Sequence, residues 1–203
     1  IAAVVSLAAC AGRPQGILLA THKRPDNVNL VNMLVVTTRA PVDMQEGVMF
    51  GGDRANHASF AANHPGAPPF SLTQMPYGPQ VLWPTHCVQG TKGAEFHPNL
   101  RTDPAQLVIR KGFRAGIDSY SAFFENDKTT ATGLHGYLQD RGARKLTLVG
   151  LATDYCVAYS ALDAAKLGYQ VTVLEGACRA IDLNGSLAAA MTDTRAAGVI
   201  WAA

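Results

Sequence analysis

From about Leu107 onward the chain alternates short β-branched runs with longer stretches of helical periodicity. That rhythm belongs to repeated βαβ units and leaves little room for anything but a parallel sheet covered by helices. The pattern predicts strands over 107–111, 145–151, 170–174 and 199–201. It predicts helices over 132–141, 155–167 and 186–197, with Gly168 and Gly198 placed to stop the second and third. Three successive crossovers imply a sheet covered on both faces.

The rest of the chain is less regular. Residues 33–38 read as a strand, and 2–7 as a second, with an ambiguous segment between them. Residues 56–98 are rich in Pro, Gly, His and aromatic side chains without periodicity, so they are expected to form loops and short turns over the sheet, where function tends to sit. With 203 residues, nearly half of them apolar, the chain 1–203 suits one domain with a continuous core.

The formal net charge is only +2 and no basic run occurs, which argues against nucleic acid and against a polybasic membrane anchor. No segment has the length and apolarity of a membrane span. Leu7-Ala8-Ala9-Cys10 has the look of a lipoprotein cleavage site, but no basic residue precedes it, and a buried strand is the expectation there. The four cysteines, Cys10, Cys87, Cys156 and Cys178, contain no C-x-x-C pair and read as reduced thiols in a cytoplasmic protein.

In open α/β sheets ligands bind beyond the carboxyl ends of the strands. Lys111 ends one predicted strand, and Cys156 follows another at the start of a helix. A thiol in a helix's first turn meets the positive end of the peptide dipoles, which favours thiolate, and a nearby ammonium would add to this. A carboxylate taking the thiol proton would complete an Asp, Lys and Cys set, with the N–H groups of 152–156 placed to hold an oxyanion. Taken singly, each residue has a plainer role: Cys156 as small packing, Lys111 as a solvated strand tip, and Asp154 as a helix cap.

The string Gly150-Leu151-Ala152-Thr153-Asp154-Tyr155-Cys156-Val157 resembles the nucleophile segment of nicotinamidases in the isochorismatase-like hydrolase superfamily. Three further groups of matches keep their order: H-A-S-F-A-A-N-H-P-G from His57, W-P-T-H-C-V-Q-G from Trp83, and Arg110-Lys111-Gly112 with D-S-Y-S-A-F from Asp118. The resemblance implies a three-layer α/β/α fold with a mostly parallel central sheet. It also implies deamidation of nicotinamide, through a Cys156 thioester assisted by Lys111, in NAD salvage. A cis peptide at Leu151-Ala152 that shapes an oxyanion site at Ala152 is implied with it. Apart from the resemblance, Trp83, Tyr120 and Phe123 are candidates to line an aromatic pocket, and each taken singly has core packing as its plainer role. Another small amide, or binding without catalysis, are the alternatives, and a homo-oligomer is expected.

The resemblance breaks near the N-terminus. Val42-Asp43-Met44-Gln45 and Gly51-Gly52 look like the family's opening strings, yet they follow the strand they should precede, which makes Asp43 the candidate base. The family's Q-D-W-H-P element is missing, and a gapless match puts Gly51 and Asp53 in its two ligand slots. The implied metal set is then His86, His57 and Asp53, suited to a divalent ion, zinc first, with iron or manganese as alternatives. Three readings stay open: a rearrangement that keeps Asp43 at the site, loss of base and metal, or a protein whose first 55 residues differ from those written.

Overall fold

The computed structural model describes residues 33–38, 47–51, 55–94 and 107–203. Asp43, Asp53 and the strand expected at 2–7 lie outside them. Among the described residues the main sheet has six strands: β1 (Met33–Thr38), β2 (Gly47–Gly51), β5 (Leu107–Lys111), β6 (Lys145–Leu151), β7 (Gln170–Arg179) and β8 (Ile200–Ala202). Their order is β5-β2-β1-β6-β7-β8. A separate hairpin pairs β3 (Leu72–Met75) with β4 (Gly78–Val81), and the helices are α1 (Leu134–Asp140), α2 (Ala158–Lys166) and α3 (Ser186–Ala196).

Pairing is parallel for β2 with β5, β6 with β7, and β7 with β8. By contrast β1 runs antiparallel to both neighbours, Leu34 facing Met49 on one side and Gly150 on the other. The sheet is therefore α/β and mostly parallel, as the rhythm implies, with one reversed strand that periodicity does not reveal. Because β5 and β6 run the same way, Lys111 and Leu151 end at the same edge of the sheet.

The core explains why β6 is so apolar. Leu146, Leu148 and Val149 are buried along it, packed with Val171 and Val173 of β7 and with Val157, Ala161 and Ala164. A strand buried on both faces carries no polar alternation. On α2 the buried positions Ala158, Ala161 and Ala164 recur at helical spacing, and their small side chains let the helix lie close to its neighbours. The three α-helices among the described residues end in one way: Gly142, Gly168 and Gly198 take positive φ, and the next N–H returns to the helix, from Ala143 to Leu138, Tyr169 to Ala164, and Val199 to Thr194. The residue that closes each helix also leads toward the following strand.

Four expectations need correction. Between β6 and α2 stands a wide π-helical turn, Thr153–Val157, so the α-helix begins at Ala158 and not at 155. Strand β7 runs to Arg179, five residues past the predicted end at 174, because β6 shifts register after Leu148 and Gly150 then pairs with Cys178. The stretch expected to be loops contains the β3–β4 hairpin, which leaves Leu72, Gln74 and Pro79 exposed and fully buries the polar Gln80. Strand β2 forms in a segment that reads as family-like strings and not as a strand.

Candidate active site

At the shared end of β5 and β6 the structure brings Lys111 and Cys156 together, with Nζ 3.2 Å from Sγ. Both side chains are buried, at 3% exposure each. A buried ammonium needs close acceptors, and Nζ also donates to the carbonyl oxygen of Ser119. That carbonyl is fixed in turn, since the Ser119 N–H donates to Asp118 Oδ1 at 2.8 Å and the Ser119 hydroxyl to the Ser121 carbonyl at 3.3 Å. The ammonium is therefore aimed at sulfur by its surroundings.

The turn carrying Cys156 is equally constrained. The Leu151–Ala152 peptide is cis, as the resemblance implies. The N–H groups of Tyr155 and Val157 both donate to the Ala152 carbonyl at 3.1 Å. Tyr155 is thereby engaged, which narrows the possible oxyanion donors to the other N–H groups of the turn, Ala152 and Cys156 among them. Ser160 donates its hydroxyl to the Cys156 carbonyl at 2.6 Å and accepts the Ala122 N–H at 2.8 Å, tying the turn to the D-S-Y-S-A-F segment.

Asp154 is not a cap of its own helix. The turn has no side-chain cap, and the Asp154 carboxylate instead accepts from the N–H groups of Ile181, at 3.0 Å, and Asp182, at 2.7 Å, and from the Ser186 hydroxyl. The sequence places these donors about thirty residues away, beyond any local spacing rule, which is why the cap reading fails.

Beside this pair lie two imidazoles. His57 is completely buried, its Nδ1 2.8 Å from the Ser59 hydroxyl, and its Nε2 has no hydrogen-bond partner. The Ser59 N–H also lies 3.2 Å from Nδ1, and with the ring proton on Nδ1, donated to the Ser59 hydroxyl, Nε2 presents a buried lone pair that a metal ion would meet. His86 donates Nδ1–H to the Pro84 carbonyl at 2.7 Å. The Phe60 ring stands near both, with centroids 5.6 Å from His57 and 5.4 Å from His86.

Burial pushes both pKa values below the ordinary 6.5, against an opposing pull from the Asp118 carboxylate. Lys111 adds to the lowering in each case. The rings are thus held neutral, the form that ligates metals. Among the described residues no group of three His, Cys, Asp or Glu converges on one point, and the third ligand expected from the sequence, Asp53, lies outside them.

An aromatic wall completes the neighbourhood. Trp83 meets Tyr155 edge-on at 4.8 Å and Tyr120 at 6.0 Å, and Tyr120 meets Tyr155 at 5.4 Å. Gln80 Nε2 donates to Asp118 Oδ2 at 2.7 Å and to the Tyr120 hydroxyl at 2.8 Å, and Trp83 Nε1 reaches the same two oxygens at 3.3 and 3.2 Å. Phe123 is not part of this wall; it packs in the main core against Tyr169.

Asp118, Gln80, Ser160 and Ser59 hold the site together and were not singled out by sequence reasoning. Only Asp118 carries a usable signal, an acid inside an otherwise apolar and hydroxylic string. Asp43 lies outside the described residues. The strand ends that flank it, Thr38 and Gly47, pair with Leu146 and Leu107, at the end of the sheet opposite Lys111.

Residues 33–202 match the isochorismatase domain family. The chain is 58% identical over 144 residues to the nicotinamidase of Acinetobacter baylyi, covering 71% of this chain and 67% of that protein. Against the Escherichia coli nicotinamidase the identity is 44% over 130 residues, 64% of this chain and 61% of that protein. Among solved structures, the Acinetobacter baumanii nicotinamidase/pyrazinamidase superposes with a TM-score of 0.75 at 56% identity, over 76% of this chain and 74% of that one. The L. infantum protein PnC1 in complex with nicotinate gives 0.64 at 38%, over 75% and 68%. The Pyrococcus horikoshii pyrazinamidase in complex with zinc gives 0.57 at 29%, over 75% and 72%.

Proposed function

This chain belongs to the isochorismatase domain family, and from that premise we propose that it is an amidohydrolase converting nicotinamide to nicotinate and ammonia, with Cys156 as nucleophile. The observation that carries the reading is the buried Lys111 Nζ at 3.2 Å from Cys156 Sγ. An ammonium in that position favours a thiolate able to attack the amide carbon. Support for the substrate comes from the relatives, which include nicotinamidases and a structure holding nicotinate.

In the proposed reaction a carboxylate takes the thiol proton. Sulfur then bonds to the carbonyl carbon, and the oxyanion rests on N–H groups of the turn at Ala152 and Cys156. The carboxylate returns the proton to nitrogen as the C–N bond breaks and ammonia leaves, and water cleaves the thioester to release the acid and restore the thiol. Trp83 and Tyr120 are the proposed walls for the pyridine ring. Asp43 is the proposed carboxylate, on the strength of its V-D-M-Q string alone, and to take the Cys156 proton it must reach across from the end of the sheet where its flanking strand ends stand.

His57 and His86 are the described residues that would hold a divalent metal, with Asp53 as the proposed third ligand; zinc is the first choice, since a neighbour carries it. Bound there, the ion would supply an electrophilic site for the ring nitrogen. The buried His57 Nε2 without a partner supports this assignment.

Ammonia release from nicotinamide by the purified chain, beside a Cys156→Ala variant and with metal content measured on the same sample, tests the proposal. Release by the wild type alone is expected. A folded, metal-replete wild type that releases none would overturn it.

A further inference from the structure

We infer that Asp154 is a positioning residue for the nucleophile: a carboxylate latch that locks the Cys156 turn to the loop between β7 and α3. The inference rests on the reading of Cys156 as the attacking group.

Three observations carry it. The Asp154 side chain is buried, at 4% exposure, and both of its oxygens are engaged: Oδ1 accepts the Ile181 N–H at 3.0 Å, and Oδ2 accepts the Asp182 N–H at 2.7 Å together with the Ser186 hydroxyl. No donor comes from its own turn, so these bonds cannot serve as a helix cap and act only between elements. The partner loop is held in an uncommon backbone conformation, with Asp182 at φ 56° and Asn184 at φ 53°, a region that Asp and Asn tolerate better than most side chains.

The loop's consecutive N–H groups converge on the carboxylate, while Ser186 opens α3 and binds the same oxygen. Asp154 stands two residues before Cys156, in a turn whose α-helical continuation starts only at Ala158. A π-helical turn, closed here by the Val157 N–H on the Ala152 carbonyl, is a rare conformation that stands out from the α-helix it leads into. Rewinding it would swing Sγ away from Lys111 and re-aim the N–H groups of Ala152 and Cys156. The Ser160 bond to the Cys156 carbonyl restrains the turn from the other side. Between them the two contacts pin the turn at both ends.

Asp154→Asn keeps the side chain's shape but replaces one acceptor oxygen with an NH2 group that repels the loop's donors. A turn misplaced by about 1 Å is expected to lower kcat by about 100-fold with KM within about three-fold, as for a group that only positions the reacting atoms. Ser186→Ala removes one of the three donors and is expected to lower kcat by about ten-fold.

The experiment measures kcat and KM for nicotinamide, thermal midpoint, and the rate of Cys156 alkylation by iodoacetamide in the wild type, Asp154→Asn and Ser186→Ala. Graded losses of kcat in the folded variants, with altered Cys156 alkylation, are the expected result. A lowered thermal midpoint with wild-type kcat and alkylation in the folded fraction would overturn the inference and leave Asp154 a simple brace. If Asp154→Asn does not fold, unchanged kcat and alkylation in Ser186→Ala overturn it. Should the wild type fail to release ammonia, the function proposal falls, and the alkylation rates still decide the latch.

Discussion

Lys111 donates to the Ser119 carbonyl and to the Cys156 sulfur, and of these contacts the second concerns chemistry. Lys111→Met keeps much of the apolar stem and removes the ammonium, so it is expected to lower kcat by about 10²–10³-fold, the scale of losing one electrostatic stabiliser; steady-state ammonia release checks this. Asp43→Asn is expected to abolish turnover if Asp43 is the proton acceptor. Retained turnover would move attention to Asp118, the described buried acid whose charge is felt by both imidazoles. The thiols should also differ. Burial pushes Cys178 up to about 11, so it stays protonated at about pH 8. Brief iodoacetamide treatment followed by peptide mapping is expected to find Cys156 modified well before Cys178. The sequence pointed to Cys156, Lys111 and the cis peptide at Leu151–Ala152 because each sits in a long, ordered string. It could not show that Asp154 binds residues 181, 182 and 186, since no spacing rule links positions so far apart.

At the scale of elements, β6 does two jobs: it fills the core with Leu146, Leu148 and Val149 and delivers the turn that carries Cys156. Leu148→Ala, at a fully buried site, is expected to destabilise the protein by about 2–5 kcal/mol through lost transfer energy and a cavity; urea denaturation monitored by circular dichroism checks it. The units after β5 were legible because their apolar runs and glycine stops are local signals. The β3–β4 hairpin was not, because Gly78, Pro79, exposed Gln74 and buried Gln80 give no apolar alternation to read. The far half of β7 was hidden likewise, for Glu175 and Gly176 interrupt its apolar run, and only the shifted pairing with β6 extends it.

For the whole molecule, the two buried imidazoles set a pH dependence. His57 and His86 fall below 6.5 in the folded chain, so the unfolded chain binds more protons once pH drops under that value. Their contribution to stability is complete above about pH 6.5 and is lost as pH falls through the lowered values. The thermal midpoint of chelator-treated protein is expected to fall between about pH 7 and about pH 5, and less steeply in His57→Gln. At this scale the sequence conveyed the α/β class but not the direction of β1, since an apolar strand of six residues reads the same either way.

The strand order has one more consequence. Lys111 ends β5 and Cys156 follows β6, and between those strands lie β2 and β1, three interstrand steps of about 4.8 Å each. Two strands that supply neither group thus serve as a spacer that sets how far apart the two can stand. A polypeptide limited to residues 55–203 would retain Lys111 and Cys156 but lose the gauge between them, together with the proposed base Asp43 and the proposed ligand Asp53. The rate of Cys156 alkylation, which follows the Lys111 contact, therefore doubles as a reporter of strand assembly: it is expected to change in that fragment and to return only when the missing strands are supplied and inserted in the right order.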